Sequence, residues 1–215
     1  MFVRQYSLSK LQIEISRSLT KDYSYLMLDW FRQVHVQKAA RVLIKGGVIA
    51  YPTEAVWGLG ADPFNAAAVY KLLSLKKRRV DKGLIIVAAH IEQLAPYLLT
   101  LSAQQQQQLR ASWPGPTTWL IPHNGLFPYW IHGEYSSVAV RVSDHPVVQG
   151  LCLAFGGPIV STSANLQGKT AARFNWQVHH YFKQHIDCYA PGRVGGRKKP
   201  SEIRDLLSGQ VVRQS

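Results

Sequence analysis

Four short segments carry side chains able to grip an anion or hydrogen-bond a polar substrate. Lys76-Lys77-Arg78-Arg79-Val80-Asp81-Lys82 places five cations in seven residues. Lys76 and Arg78 stand two apart, so in an irregular segment both can converge on one polyanion. Arg clasps phosphate oxygens in pairs, and Lys adds a mobile point charge. A helix C-terminus decorated with cations that complement its dipole would account for the same run. Ser161-Thr162-Ser163-Ala164-Asn165 offers hydroxyls and an amide, a neutral nest for phosphate, ribose or an amino-acid carboxylate. A turn capping a strand would look no different. Tyr51-Pro52-Thr53-Glu54-Ala55-Val56-Trp57-Gly58-Leu59-Gly60 sets a hydroxyl and a carboxylate beside a Gly-x-Gly, which a tight turn also explains. In Trp113-Pro114-Gly115-Pro116-Thr117-Thr118 a stiff turn feeds a strand whose two threonines point to opposite faces.

Other chemistries lack residues. Eight histidines and two cysteines show no H-x-x-x-H, C-x-x-C or Cys/His spacing for zinc. No G-x-S-x-G elbow and no G-x-x-x-x-G-K-[ST] loop occurs. Ser163 has no evident base in sequence apart from a conceivable pairing with Lys76. The net charge of +13 suits a polyanionic partner, a nucleic acid or a nucleoside triphosphate, and does not choose between them. Apolar runs are too short for a bilayer, and Met1 to Lys10 lacks a signal-peptide pattern. Cys152 and Cys188 read as two free, buried thiols of a reducing cytoplasm.

The elements that must position these segments alternate between helix and strand. Asp29 caps a predicted helix through Val34, Ala39, Ala40 and Leu43 that ends at Gly46-Gly47. Val48–Tyr51 is a strand and Pro52–Pro63 a loop. Asn65–Leu75 is a helix with Ala67, Val69, Tyr70, Leu72 and Leu73 available to a core. Leu84–Ala88 is a buried strand; His90–Leu99 and Ala103–Ala111 are helices, the second exposing the glutamines Gln104–Gln108. Strands follow at Thr117–Ile121 and Val138–Val142, a helix at Pro146–Phe155 and a strand at Pro158–Ser161. Phe174–Gln184 is a helix and Ile186–Ala190 a strand. A hairpin of Glu202–Leu207 and Gln210–Arg213 turns at Ser208-Gly209. The sum is a single α/β domain with a mixed sheet and flanking helices.

In this order and spacing the segments resemble the YrdC-type family of threonylcarbamoyl-AMP synthases, its bacterial TsaC branch in particular. The matching text is Ile49 to Gly60, the K-x-R of Lys76-Lys77-Arg78, Asp81-Lys82-Gly83-Leu84-Ile85 and Trp113-Pro114-Gly115-Pro116. It continues with Val138-Ala139-Val140-Arg141-Val142, the Ser161–Asn165 run, Gly195-Gly196-Arg197 and Pro200-Ser201-Glu202-Ile203-Arg204. The resemblance runs from about residue 30 to the C-terminus. It implies a twisted sheet with an open basic groove. It also implies a reaction: L-threonine and bicarbonate or CO₂ give a carbamate that attacks the α-phosphate of ATP and releases diphosphate. Partner proteins would pass the threonylcarbamoyl group to tRNA. Lys76, Arg78, Ser163 and Asn165 would be catalytic and, with Thr118 and Arg213, would hold ATP. Thr53, Arg141, Ser161, Ser201 and Lys82, the last at a position that varies in the family, would surround L-threonine. Mg²⁺ would come with ATP, held by phosphates more than by protein carboxylates. The family often has Pro after K-x-R; Arg79 here is expected to loosen the loop and add a cation.

A basic module that binds tRNA or double-stranded RNA without catalysis is the competing reading, although no RNP, KH or helix-turn-helix signature supports it. Residues 1–26 show no clean period and fall outside the resemblance. They read as an appendage to a catalytic domain of residues 27–215, and Met27 offers an alternative start. Without them the chain keeps 21 Lys/Arg and 10 Asp/Glu, so the basic character belongs to the main domain. Mass spectrometry of the native protein is expected to find its first peptide at Met27; a peptide from residues 1–20 would refute that start.

Overall fold

A computed structural model describes residues 30–214; residues 1–26 and the expected cap Asp29 lie outside that range. Its elements in chain order are α1 (Val34–Ile44), β1 (Ile49–Pro52), β2 (Trp57–Gly60), α2 (Ala66–Lys76) and β3 (Ile85–Ala88). They continue with α3 (Ala95–Leu98), α4 (Ala103–Ser112), β4 (Thr117–Pro122), α5 (Tyr129–His132), β5 (Ser137–Val142) and α6 (Pro146–Phe155). The remainder is β6 (Ile159–Ser163), α7 (Asn175–Phe182), β7 (Cys188–Tyr189), β8 (Glu202–Asp205) and β9 (Val211–Arg213). The described strands form one mixed sheet, ordered β7-β1-β2-β6-β3-β5-β4-β8-β9. Pairs β7–β1, β3–β5 and β4–β8 are parallel and the others antiparallel.

Strand periodicity divides the side chains between two cores. Leu59, Ile86, Val140 and Val160 turn to one face and pack with Val69, Leu72 and Leu73 of α2 and Leu109 of α4. Ile49, Tyr51, Val87 and Ile159 turn to the other and meet Val36, Ala39, Ala40 and Leu43 of α1 and Val148, Leu151 and Cys152 of α6. The second face is covered only over this part. Further along the same rows β5 presents Arg141, Ala139 and Ser137, and β6 presents Ser161 and Ser163, to a cleft.

Several boundaries differ from the sequence reading, each for a local reason. The stretch expected as a loop from Pro52 to Pro63 contains β2. Its glycines serve a neighbouring ring: a Cβ on Gly60 would lie 2.8 Å from Tyr51 Cε1, and one on Gly58 3.4 Å from Tyr51 Cζ. β6 runs on through Ser163, so the Ser161–Ser163 hydroxyls sit within the strand. On α2, Asn65 caps the helix by accepting from the Ala68 N–H, which turns Ala67 and Tyr70 outward and Ala68 inward. Val34 is exposed, and α1 starts after Gln33 with no side-chain cap. His90–Leu99 splits into a 3₁₀ turn and the short α3, because Pro96 lacks the N–H that a longer helix would use. α5 gave no sequence signal. Cys152 is buried, but Cys188 on the short strand β7 is only partly so.

The end of α2 decides how the cationic run is displayed. Lys77 adopts a left-handed conformation at φ 52°. Its N–H donates to Ser74 O and the Arg78 N–H to Leu73 O, each at 3.0 Å, the pairing of a Schellman motif. The reversal leaves Lys76 facing in, Lys77 facing out and Arg78 turned toward the cleft. Arg79 follows at φ −68°, inside the range proline fixes, so the loop keeps a proline-compatible path. Its side chain pairs with Asp81 at 2.9 Å, an exposed contact. Arg79→Pro is therefore expected to fold normally and gain about 0.4–1 kcal/mol through the unfolded chain. Thermal unfolding should rise by roughly 1–4 °C.

Candidate active site

The cleft has a volume of about 420 Å³ and is floored by the uncovered part of the sheet face. Two ends differ in chemistry. At the first, the Lys76 ammonium donates to the backbone carbonyls of Ser163 and of Asn165, the latter at 2.7 Å. Lys76 is buried, and it ties the end of α2 to the end of β6 rather than lining the cleft. Burial, with Arg78 nearby, brings its pKa down to about 8. Ser163 Oγ donates to Asn165 Oδ1 at 2.6 Å, and Asn165 Nδ2 donates to the carbonyls of Leu166 and Lys169. Asn165 thus shapes the turn and stands behind Ser163, whose side chain does line the cleft. The Ser163 hydroxyl is engaged with Asn165 and not with the Lys76 amine, so the pair does not form a nucleophile and base.

Arg78 lines this end. Its Nη2 donates to Lys82 O at 3.0 Å and to Gly83 O at 2.8 Å, while its buried Nε has no partner. A guanidinium fixed on one edge by backbone carbonyls and lining the cleft can meet an anion there. Burial lowers its pKa from the ordinary guanidinium value. Lys82 also lines the cleft.

At the second end Thr53, Ser161 and Arg141 come together. Thr53 Oγ1 donates to Val56 O at 2.7 Å, holding the turn between β1 and β2. Arg141 Nη1 lies 2.9 Å from Glu54 Oε2, and both side chains are below a tenth exposed. Ser143 Oγ donates to the other oxygen, Glu54 Oε1, at 2.5 Å. Burial opposes ionisation of this carboxyl, but Arg141 and Ser143 outweigh it and hold Glu54 well below the usual carboxylate range. Arg141 already has a carboxylate partner, which the sequence reading did not give it. Its buried Nε remains unpartnered.

A glycine-rich segment ahead of β8 roofs this end. Gly195 N donates to Thr53 O at 2.9 Å and Arg197 N to Glu54 O at 3.2 Å. A Cβ on Gly195 would stand 2.8 Å from Glu54 O, so only glycine passes there. Arg197 pairs with Asp144 at 2.7 Å. Ser201 lines the cleft with its carbonyl accepting from Arg213 Nη2 at 2.7 Å and its hydroxyl 2.8 Å from Thr118 Oγ1. Thr118 is fully buried and supports Ser201 from below. The structure thus brings Arg78, Lys82, Ser163, Thr53, Arg141, Ser161, Ser201 and Arg213 to one cleft, with Lys76, Asn165 and Thr118 behind its wall. Glu54 was visible as a carboxylate beside the strand end, yet its pairing was not; Ser143, His132 and Tyr135 carried no motif.

A family model described as "Telomere recombination", covering Sua5, YciO and YrdC proteins, matches residues 41–215. The chain belongs to this family. A threonylcarbamoyl-AMP synthase of Cellvibrio japonicus is 55% identical over 189 residues, 88% of this chain and 100% of that protein. Among solved structures, P. abyssi Sua5 complexed with L-threonine superposes with a TM-score of 0.75 at 31% identity, over 80% of this chain and 51% of that one. E. coli YciO shares the family fold at a TM-score of 0.73 and 23% identity, over 83% of this chain and 88% of that one.

The depressed pKa of Lys76 has a thermodynamic consequence. Between about pH 8 and the ordinary lysine value of 10.5 the unfolded chain binds more protons here than the folded one, so stability from this group rises with pH. Denaturant unfolding of wild type and Lys76→Met, compared across that window, should show the wild type gaining on the variant as pH increases.

Proposed function

We propose that this chain is a threonylcarbamoyl-AMP synthase, converting L-threonine, bicarbonate or CO₂, and ATP into threonylcarbamoyl-AMP and diphosphate. The observation that carries this reading is one cleft with an anion-gripping end and a hydroxyl-lined, Arg141-bearing end and, among the described residues, no nucleophile paired with a base between them. Two ligands held there must react with each other.

The amine of L-threonine forms the carbamate, and a carbamate oxygen then attacks the α-phosphorus as the bond to diphosphate breaks. Such in-line displacement needs alignment and charge neutralisation more than covalent help. Arg78, lining the cleft beside Lys82, would neutralise the triphosphate and the departing diphosphate, and Arg213 would touch the nucleotide from the Ser201 side. Ser163 would complete the nucleotide site, and Asn165 and Lys76 would hold it in place from behind. Arg141 would take the threonine carboxylate among Thr53, Ser161 and Ser201, with Thr118 acting through Ser201.

Mg²⁺ would enter as part of the ATP substrate. Among the described residues no three His, Cys, Asp or Glu side chains gather to hold a metal, and the carboxylate of Glu54 is occupied by Arg141 and Ser143. Work in the cytoplasm and hand-over of the product to tRNA-modifying partners belong to the same proposal. Among the described residues no helix is long and apolar enough to cross a membrane. Direct contact with tRNA or double-stranded RNA would fall on the outward-facing Lys77 and on Arg79.

Purified protein with ATP and bicarbonate is expected to release diphosphate only when L-threonine is added. Arg78→Ala should lower kcat/KM for ATP by about 10²–10³. Lys76→Ala should abolish turnover while circular dichroism shows a folded chain. Absence of threonine-dependent release, with tight and salt-sensitive tRNA binding, would favour the RNA-binding module.

A further inference from the structure

The charges of the cleft are unevenly matched, and one side chain makes them so. Arg78, Lys82, Arg141, Arg197, Lys199 and Arg213 line it, against the single carboxylate of Glu54 among the described residues. That carboxylate is not free to roam. Both its oxygens are engaged, by Arg141 at 2.9 Å and by Ser143 Oγ at 2.5 Å, and the Glu54 backbone carbonyl accepts from the Arg197 N–H. Arg213 is lowered from the ordinary guanidinium pKa by burial and by the nearness of Arg141. Two neighbouring guanidiniums make a strong trap for a polyphosphate. Coulomb attraction scales with ligand charge, so an uncompensated pair would favour a triphosphate over a monocarboxylate.

We propose that Glu54 is a specificity-determining residue: by compensating Arg141 it keeps polyphosphate out of the amino-acid end of the cleft. Arg141 still lines the cleft, where it can meet a carboxylate, while its charge is already balanced by Glu54. Two substrates of unlike charge can then share one groove without exchanging places. Glu54 is a positioning residue here and not a base, since neither oxygen is available to take a proton from the amine. The inference rests on the reading of the cleft as a site for ATP and L-threonine.

The test is calorimetric titration of the full chain with L-threonine, with and without inorganic tripolyphosphate. In wild type, tripolyphosphate should leave threonine affinity unchanged. In Glu54→Gln it should compete, weakening apparent threonine affinity about tenfold or more. Glu54→Asp keeps the charge and should behave as wild type. A merely structural Glu54 would lower the unfolding temperature of the Gln variant without producing competition, which would overturn the proposal. Competition in wild type would overturn it as well, and that titration decides the matter if the Gln variant fails to fold. A wild-type chain that binds no L-threonine defeats the functional reading itself, whereas threonine displaced by tripolyphosphate from wild type defeats only the role of Glu54.

Discussion

Incomplete covering of one sheet face is the constraint on which the rest of the molecule depends. α1 and α6 bury Ile49, Tyr51, Val87 and Ile159 and leave the continuation of the same side-chain rows open. A strand that crosses this border must change character along one face. β6 does so from Ile159 to Ser161 and Ser163, and β5 places Arg141 opposite Val87 in register, where apolar packing gives way to the cleft. The polar rows are tolerable because the border is staffed by groups that satisfy one another. Glu54 is held there by Arg141 and Ser143, one on each carboxylate oxygen. Removing one partner of such a buried pair strands the other charge, at a cost of about 3–5 kcal/mol.

The same border explains the division of labour within the K-x-R segment. A left-handed residue reverses the chain after α2, and the two cations on either side of it meet opposite surroundings. Lys76 enters the protein and finds carbonyls; Arg78 enters the cleft and finds the Lys82–Gly83 backbone on one edge only. Charge counting treats both as equal. Geometry makes the first a tether and the second a ligand-facing group.

Much of this was legible in the sequence because periodicity and punctuation are local. α6 spans Pro146–Phe155 as expected, closed by the left-handed Gly156. The hairpin of β8 and β9 turns at Ser208-Gly209, and the clustering of most of the expected site residues followed from their placement at strand ends. What stayed hidden depends on contacts distant in sequence. β2 reads as a loop because its glycines are explained only by the Tyr51 ring across the pair. Arg141 reads as a free cation because Glu54 lies 87 positions away, and the carbonyls that hold Lys76 belong to the end of β6 and the turn after it, almost ninety positions on. Tyr70 reads as a core residue because it borders the stripe of Val69, Leu72 and Leu73, and which border is covered depends on where the sheet sits.

Ser201 and Arg213 tie the last two strands into a site whose floor is laid by the first ones. A chain still emerging from the ribosome would have folded β1 to β6 with one wall of the groove missing. Domains fold as units during synthesis, and here the catalytic apparatus would be the last part of the unit to close. Chains without β8 and β9 would therefore bind neither substrate well.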